Sequence, residues 1–244
     1  VLFREICNAL IEKASEHIDS GRIFKLEPHE TVPLLEEAMR VCSQFKSVFF
    51  LYKNRMAHLD PSHPWSFAHA PEKKSTLAGG DAGSTALATP SAGGVDPNSS
   101  IFGRLDIFLA RCQDLLDLIH SMQEFRRLEK VAVGGTKGKT LTEQIARIYE
   151  EFQDAVAIFP QVTYDVLDTT ISDFDEDYYA FLLKIKDLER RLAAVITQGF
   201  EDCPGSLSAI RLLDGFEGLL QRDCISSDVQ KKYFDLLKLV SVEL

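Results

Sequence analysis

The run Val131-Ala132-Val133-Gly134-Gly135-Thr136-Lys137-Gly138-Lys139-Thr140 carries the residue types of a phosphate-binding loop. Glycines let backbone amides close around phosphate oxygens, a lysine supplies countercharge, and a threonine hydroxyl can hold magnesium. A Walker loop spells G-x-x-x-x-G-K-[ST]. Gly138-Lys139-Thr140 supplies its end, but Val133 occupies the first glycine position.

The same run resembles the shorter G-T-x-G-K-[ST] loop of ATP-dependent folyl and muramyl ligases. Those enzymes set the loop on a parallel sheet, whereas here a helical pattern precedes it and no βαβ pattern follows. Thr140-Leu141-Thr142-Glu143 reads instead as a capping box, with Thr140 as the cap of the next helix. The run is therefore expected to connect two helices, with Lys137 and Lys139 solvated or facing an acidic neighbour.

Two other patterns imitate ligand sites. Asp173-Phe174-Asp175-Glu176-Asp177 opens like a calcium-binding EF-hand loop, which needs glycine at its sixth position and glutamate at its twelfth. Tyr178 and Lys184 stand there, so the acids read as complements to a helix dipole with Ser172 as a candidate cap. His58, His63 and His69 cluster near a polar insertion, which is weak evidence for a metal site. The five cysteines, Cys7, Cys42, Cys112, Cys203 and Cys224, form no C-x-x-C pair. Three fall among apolar helical positions, as reduced buried thiols do, which fits a reducing compartment such as cytoplasm or cilium. No nucleophile motif accompanies them. Neither a catalytic residue, a metal site nor a cofactor is expected.

Bulk properties narrow the function classes. A formal charge of −10 opposes general nucleic-acid binding and binding to anionic membranes. Apolar runs such as Val48-Phe49-Phe50-Leu51 are too short to span a bilayer. The chain opens Val-Leu-Phe-Arg, with no initiator methionine and no targeting pattern, and closes on a helical pattern. Both ends read as cut from something longer.

Helical periodicity organises nearly all the rest. Apolar residues step by threes and fours through Ala38, Cys42, Phe45, Phe49, Tyr52, Met56, and again through Ile101, Leu105, Phe108, Cys112, Leu115, Ile119, Met122. The rhythm returns in Leu141, Ile145, Ile148, Phe152, Ala155, Phe159 and in Phe174, Tyr178, Phe181, Ile185, Leu188, Leu192, Val195. No stretch sustains a period of two. The fold expected is all-α: elongated antiparallel helical bundles of long heptad-patterned helices, plus one disordered insertion. Helices are expected near 2–20, 30–58, 101–130, 140–158, 172–199, 206–221 and 227–243. Gly21, Pro160, Gly199 and Pro204-Gly205 mark ends, and Ser172 and Ser227 mark starts. The helix over 101–130 would be about 45 Å long.

Between these elements the composition collapses to Gly, Ala, Ser, Thr and Pro, as in Ala78-Gly79-Gly80-Asp81-Ala82-Gly83-Ser84. Such a segment buries too little apolar surface to offset its ordering entropy. The domain plan is thus a first helical pair over 1–67, a flexible insertion over 68–100, a long-helix bundle over 101–199, and the start of another bundle over 200–244.

Several short pieces then follow one another in a familiar order. They are Ile101-Phe102-Gly103-Arg104-Leu105-Asp106-Ile107-Phe108-Leu109, Phe125-Arg126-Arg127-Leu128-Glu129-Lys130-Val131, and Gly134-Gly135-Thr136-Lys137-Gly138-Lys139. Ile148-Tyr149-Glu150-Glu151-Phe152, Phe174-Asp175-Glu176-Asp177, Leu188-Glu189-Arg190-Arg191-Leu192 and Gln198-Gly199-Phe200-Glu201-Asp202-Cys203-Pro204 come next. Together with Phe3-Arg4-Glu5-Ile6-Cys7-Asn8-Ala9-Leu10-Ile11 and the Pro64-Trp65-Ser66-Phe67 turn, the series resembles the N-terminal tail of axonemal dynein heavy chains, especially those of the outer arm. The likeness covers nearly the whole chain outside the insertion, where many relatives have only a short connection.

The resemblance implies a non-catalytic stalk of helical bundles, N-terminal to the linker and ATPase ring of a microtubule motor. It implies assembly with other dynein heavy chains, intermediate and light chains, and docking components on doublet microtubules. The place implied is the axoneme of a cilium or flagellum, after assembly in the cytoplasm. Asp165, Asp168, Asp173, Asp175, Glu176 and Asp177, with Lys137 and Lys139, are the candidate partner contacts. A solvated helix entry is the plainer reading of the acids. Phe200 and Trp65 read as buried staples before partner contacts. Two other readings stand beside this one: a nucleotide-dependent ligase using the GTKGKT run, and an unrelated spectrin-like tethering bundle.

Overall fold

The computed structural model describes residues 2–58, 100–220 and 222–243. The Pro64-Trp65-Ser66-Phe67 turn, His63, His69 and all but the last residue of the 68–100 insertion lie outside these residues. Among the described residues the fold is all-α, with seven α-helices and no strand. They are α1 (Leu2–Ile18), α2 (Pro28–Ala57), α3 (Gly103–Arg126), α4 (Gly138–Val156), α5 (Asp173–Glu201), α6 (Ser206–Gly215) and α7 (Asp223–Glu243). Short 3-10 turns follow α3 at Arg127–Lys130, α4 at Phe159–Gln161 and α6 at Glu217–Leu219.

Most of the apolar stripes face inward. Leu105, Phe108, Cys112 and Leu115 on α3 are fully buried, as are Phe174, Leu188 and Leu192 on α5. Each such side chain contributes about 1.5–3 kcal/mol by leaving water. The α2 stripe behaves differently along its length. Ala38 and Cys42 are buried, Phe45 and Phe49 are half-buried, and Tyr52 is 55% exposed.

Four local expectations are corrected. The helix over 101–130 stops at Arg126 and tightens into the 3-10 turn, where the Val131 amide donates to Leu128 O. Thr140 is not a cap: α4 already begins at Gly138, with Lys137 at the cap position. Gly199 does not end α5. It is buried inside the helix, where an added Cβ would lie 3.2 Å from a Leu212 methyl and 3.4 Å from Val133. The glycine thus serves close packing. The last helix starts at Asp223 rather than Ser227, because Ile225 (fully buried) and Val229 share one inward face at a spacing of four.

The chain forms two compact units, one of Val1–His17 and Glu36–Ala110, the other of Ile18–Leu35 and Arg111–Leu244. In the first, Phe102 receives Phe49 at 5.0 Å and Phe50 at 5.5 Å between ring centres, and Phe3 meets Phe49 edge-on at 4.8 Å. Lys46 pairs with Asp106 at 2.6 Å, and Arg104 donates to Asn8 at 3.0 Å. Cys7 and Cys42 are buried here, and burial pushes both thiols up from their ordinary range.

In the second unit α5 packs against α4, α6 and α7. Phe125 stacks on Phe152 at 4.4 Å, and Phe159 meets Phe181 edge-on at 5.8 Å. α1 ends where Asp19 turns left-handed at φ 57°. The following turn is tied down by the buried Thr31 hydroxyl, which donates to Ile23 O at 3.2 Å.

Candidate functional site

The glycine-rich run is a closed connector. Gly135 adopts φ 88°, which only glycine accommodates without strain, and its backbone passes against Asp202 at the C-terminal end of α5. The Asp202 carboxylate accepts the Lys137 amide at 2.9 Å and the Thr136 hydroxyl at 2.6 Å. Those bonds, the amide's first, hold the Asp202 carboxyl below the usual carboxylate range. From the other side the Val133 amide donates to the Thr142 hydroxyl at 3.0 Å. The Asp202 carboxylate thus stands beside the N-terminus of α4, where a negative charge is favourable. Lys137 and Lys139 are both exposed, and Lys137 has Asp202 as its acidic neighbour.

The acidic run lies at the other end of α5, about 43 Å away along a helix of 29 residues. Asp173, Asp175 and Glu176 occupy the first turn of α5, so the segment is helix rather than a liganding loop. Ser172 sits at the cap position but makes no capping bond; its hydroxyl donates to Glu176 at 3.2 Å. Asp165 accepts the Leu167 amide, and Asp168 accepts the Thr170 amide and hydroxyl, closing two tight turns. Asp177 accepts the Tyr164 hydroxyl at 2.6 Å. The turns and α5 are drawn together by Arg111, which is 3% exposed. Its guanidinium donates to Val166 O at 2.9 Å, Asp168 O at 3.2 Å and Asp175 Oδ1 at 2.7 Å, and lies 4.4 Å over the Phe174 ring. Five of the six acids therefore do structural work, and Asp165, Asp173, Asp175 and Glu176 remain exposed as well.

Arg111 is one of several charged groups that build this unit. On the same turn of α3, burial pushes the Asp114 carboxyl up to about 6, against the pull of Arg111. Arg222, between the last 3-10 turn and α7, donates to Glu124 at 2.8 Å, Glu189 at 2.5 Å and Ser121 at 2.6 Å. Glu151 on α4 takes Arg191 and Lys184 from α5, which hold its carboxyl down, to about 2. Phe200 is half-buried.

Among the described residues no three His, Cys, Asp or Glu side chains converge as a metal site would require, and His58 is exposed at the end of α2. None of the five cysteines is in a disulfide: Cys7, Cys42 and Cys112 are buried, and Cys203 and Cys224 half-buried. No described helix is long and apolar enough to cross a membrane. The described residues offer charged helix surfaces and buried ion clusters.

The pattern of the family described as "Dynein heavy chain, N-terminal region 1" matches residues 1–74 and 93–244. The dynein beta chain of the flagellar outer arm of Chlamydomonas reinhardtii is 40% identical over 236 residues, 97% of this chain and 4% of that one. The ciliary dynein beta chain of Heliocidaris crassispina is 34% identical over 244 residues, 100% of this chain and 5% of that one. Dynein axonemal heavy chain 17 of Mus musculus is 31% identical over 250 residues, again 100% of this chain and 5% of that one. The chain thus spans about one-twentieth of the length of these relatives.

Proposed function

Because this chain belongs to the dynein heavy-chain N-terminal region 1 family, we propose that it is a non-catalytic tail segment of a ciliary or flagellar dynein heavy chain. Its work is mechanical. Packed helices hold a fixed shape and present exposed faces to other heavy chains and to intermediate and light chains. They also anchor the motor to the doublet microtubule of the axoneme. The observation that carries this reading is the family match over residues 1–74 and 93–244, and the Asp202 carboxylate bonded to Thr136 and Lys137 in the GTKGKT connector speaks against the nucleotide reading. The names of the relatives, flagellar outer arm and ciliary, support the place. Candidate partner contacts are the exposed acids at the head of α5, Asp165, Asp173, Asp175 and Glu176, and the exposed Lys137 and Lys139.

Two measurements test this. In a ciliated cell, replacing the heavy-chain region equivalent to this chain with an unrelated helical bundle should remove the arm from the axoneme while leaving the ATPase of the isolated motor intact. Normal arm density in electron tomograms would defeat the proposal. Separately, calorimetric titration of the chain with ATP and magnesium should give no binding heat; micromolar binding lost in Lys139→Ala would establish the ligase-like reading instead.

A further inference from the structure

The turn that leads into α2 and the end of α3 enclose two cavities that share a wall. The larger, of about 520 Å³, is lined by Arg126 and Arg127 together with Gln123, His29, Pro28 and Gly218. Arg126 closes α3 and Arg127 opens the 3-10 turn, so two consecutive guanidiniums reach one space. Among the described residues, Arg126 faces Glu27 at 3.9 Å and Arg127 faces Glu217 at 3.8 Å, both beyond hydrogen-bond reach. All four side chains are exposed, and exposed pairs of this kind hold weakly. Glu124, the other acid of this cavity, is already held by Arg222 at 2.8 Å. Gly218 leaves room for the second arginine, since a Cβ there would lie 3.0 Å from Arg127 Nη1. The smaller cavity, of about 270 Å³, shares Glu27, Pro28, Gln123 and Arg126 with the first. Ile23, Leu26, Ile119 and Met122 give it apolar walls. Both lie in the unit of Ile18–Leu35 and Arg111–Leu244.

Two guanidiniums side by side suit a tetrahedral dianion. Each presents N–H donors in a fixed fork, which phosphate oxygens accept two at a time. A phosphoryl group brings three acceptor oxygens and nearly two charges, so it displaces the loosely held Glu27 and Glu217 from both arginines. His29 and Gln123 add a ring N–H and an amide N–H at the same wall. Apart from His29 no lining residue of the larger cavity is aromatic, so a nucleobase finds little to stack on. The smaller, aliphatic slot next to it suits an apolar side chain instead. A peptide carrying a phosphorylated residue and an apolar one a few positions away satisfies both cavities, which is the logic of phospho-motif recognition by arginine clusters.

We propose that these joined cavities bind a partner peptide through a phosphorylated serine or threonine, with Arg126 and Arg127 on the phosphate and the aliphatic slot on a nearby apolar residue. Such docking switches with phosphorylation of the partner, because the unmodified hydroxyl brings no charge to the arginines. The site is chemically independent of the tail role, so either can fail alone.

A mixture of synthetic peptides, each with a central phosphoserine or phosphothreonine between randomised positions, tests the site on the immobilised chain. Retained peptides should be enriched in Leu, Ile or Met a few positions from the phosphorylated residue. Calorimetric titration with the most enriched sequence should give a Kd on the order of 10 µM. Its unphosphorylated form should bind about 30-fold or more weakly. Arg126→Gln and Arg127→Gln should each weaken binding about 10-fold, and the double variant should abolish it. Replacing both by Lys should restore only part of the affinity, since an ammonium lacks the fork. Arg211→Gln, outside both cavities, should leave binding unchanged. Circular dichroism should show unchanged helicity in every variant, as these arginines are exposed. Inorganic phosphate and ATP, which bring no apolar side chain, should give no heat at the same concentrations. Enrichment of no phosphopeptide, equal binding of the unphosphorylated form, undiminished binding by the double Gln variant, or tighter binding of ATP than of the peptide would each overturn the site.

Discussion

Gly134 and Gly135 are adjacent and look equivalent as letters, yet only one of them is constrained. A Cβ on Gly134 would meet nothing within 4 Å. One on Gly135 would enter the Asp202 carboxylate, lie 3.2 Å from the Asp202 carbonyl oxygen, and impose a side chain on φ 88°. We expect Gly135→Ala to destabilise the chain by about 2 kcal/mol and Gly134→Ala to stay within roughly 0.5 kcal/mol. Thermal melts of the two variants check this; for a chain of this size the first should melt roughly 4–8 °C lower. Equal melting of both would show that the Asp202 contact does not hold the connector.

Helices were legible because burial imposes the three-and-four rhythm on apolar residues, and seven expected helices correspond to α1 through α7. Their ends were less so. Thr140 and Ser227 have the residue types of caps, but α4 and α7 begin earlier to bury Gly138 and Ile225. The charged clusters were half legible. Arg111 lies three after Phe108 and four before Leu115, and Glu189 lies four after Ile185 and three before Leu192. A charge on an apolar stripe signals a buried ion pair in waiting, though not its partner. Asp202 gave no signal, since its role depends on a connector 65 residues away.

The same stripe logic yields a pH prediction for the packing of α3. Burial raises the Asp114 carboxyl to about 6, above the value of about 3.9 expected in the unfolded chain. The folded state therefore binds the extra proton between those values. Its contribution to stability is full below about pH 3.9 and is lost as pH rises through about 6. Asp114→Asn, which removes the titration, should raise the melting temperature at pH 8 by an amount equivalent to about 1 kcal/mol, after allowance for solvent near the half-buried group. The gain should shrink toward pH 4. A pH-independent difference in denaturation midpoints would remove Asp114 as the cause.

For the molecule as a whole, membership in the dynein heavy-chain family was legible from the order of short pieces, each of which is weak alone. What that order could not convey is how distant segments are fastened. Arg222 shows the consequence most clearly. Its three side-chain bonds reach back 98 residues to Glu124, 33 to Glu189 and 101 to Ser121. Closing loops of that length early in folding is entropically costly, so this junction should form after the barrier has been crossed. Arg222 then acts as a latch on the way out rather than a guide on the way in. Arg222→Met should leave the refolding rate nearly unchanged while unfolding accelerates by roughly 100-fold, the kinetic share of about 3 kcal/mol for stranding the nearly buried Glu189. Stopped-flow chevrons measure both limbs, and a slowed refolding limb would place the junction in the nucleus instead. A segment latched in this way resists brief pulls by the slowness of its release, independently of how deep its equilibrium well is.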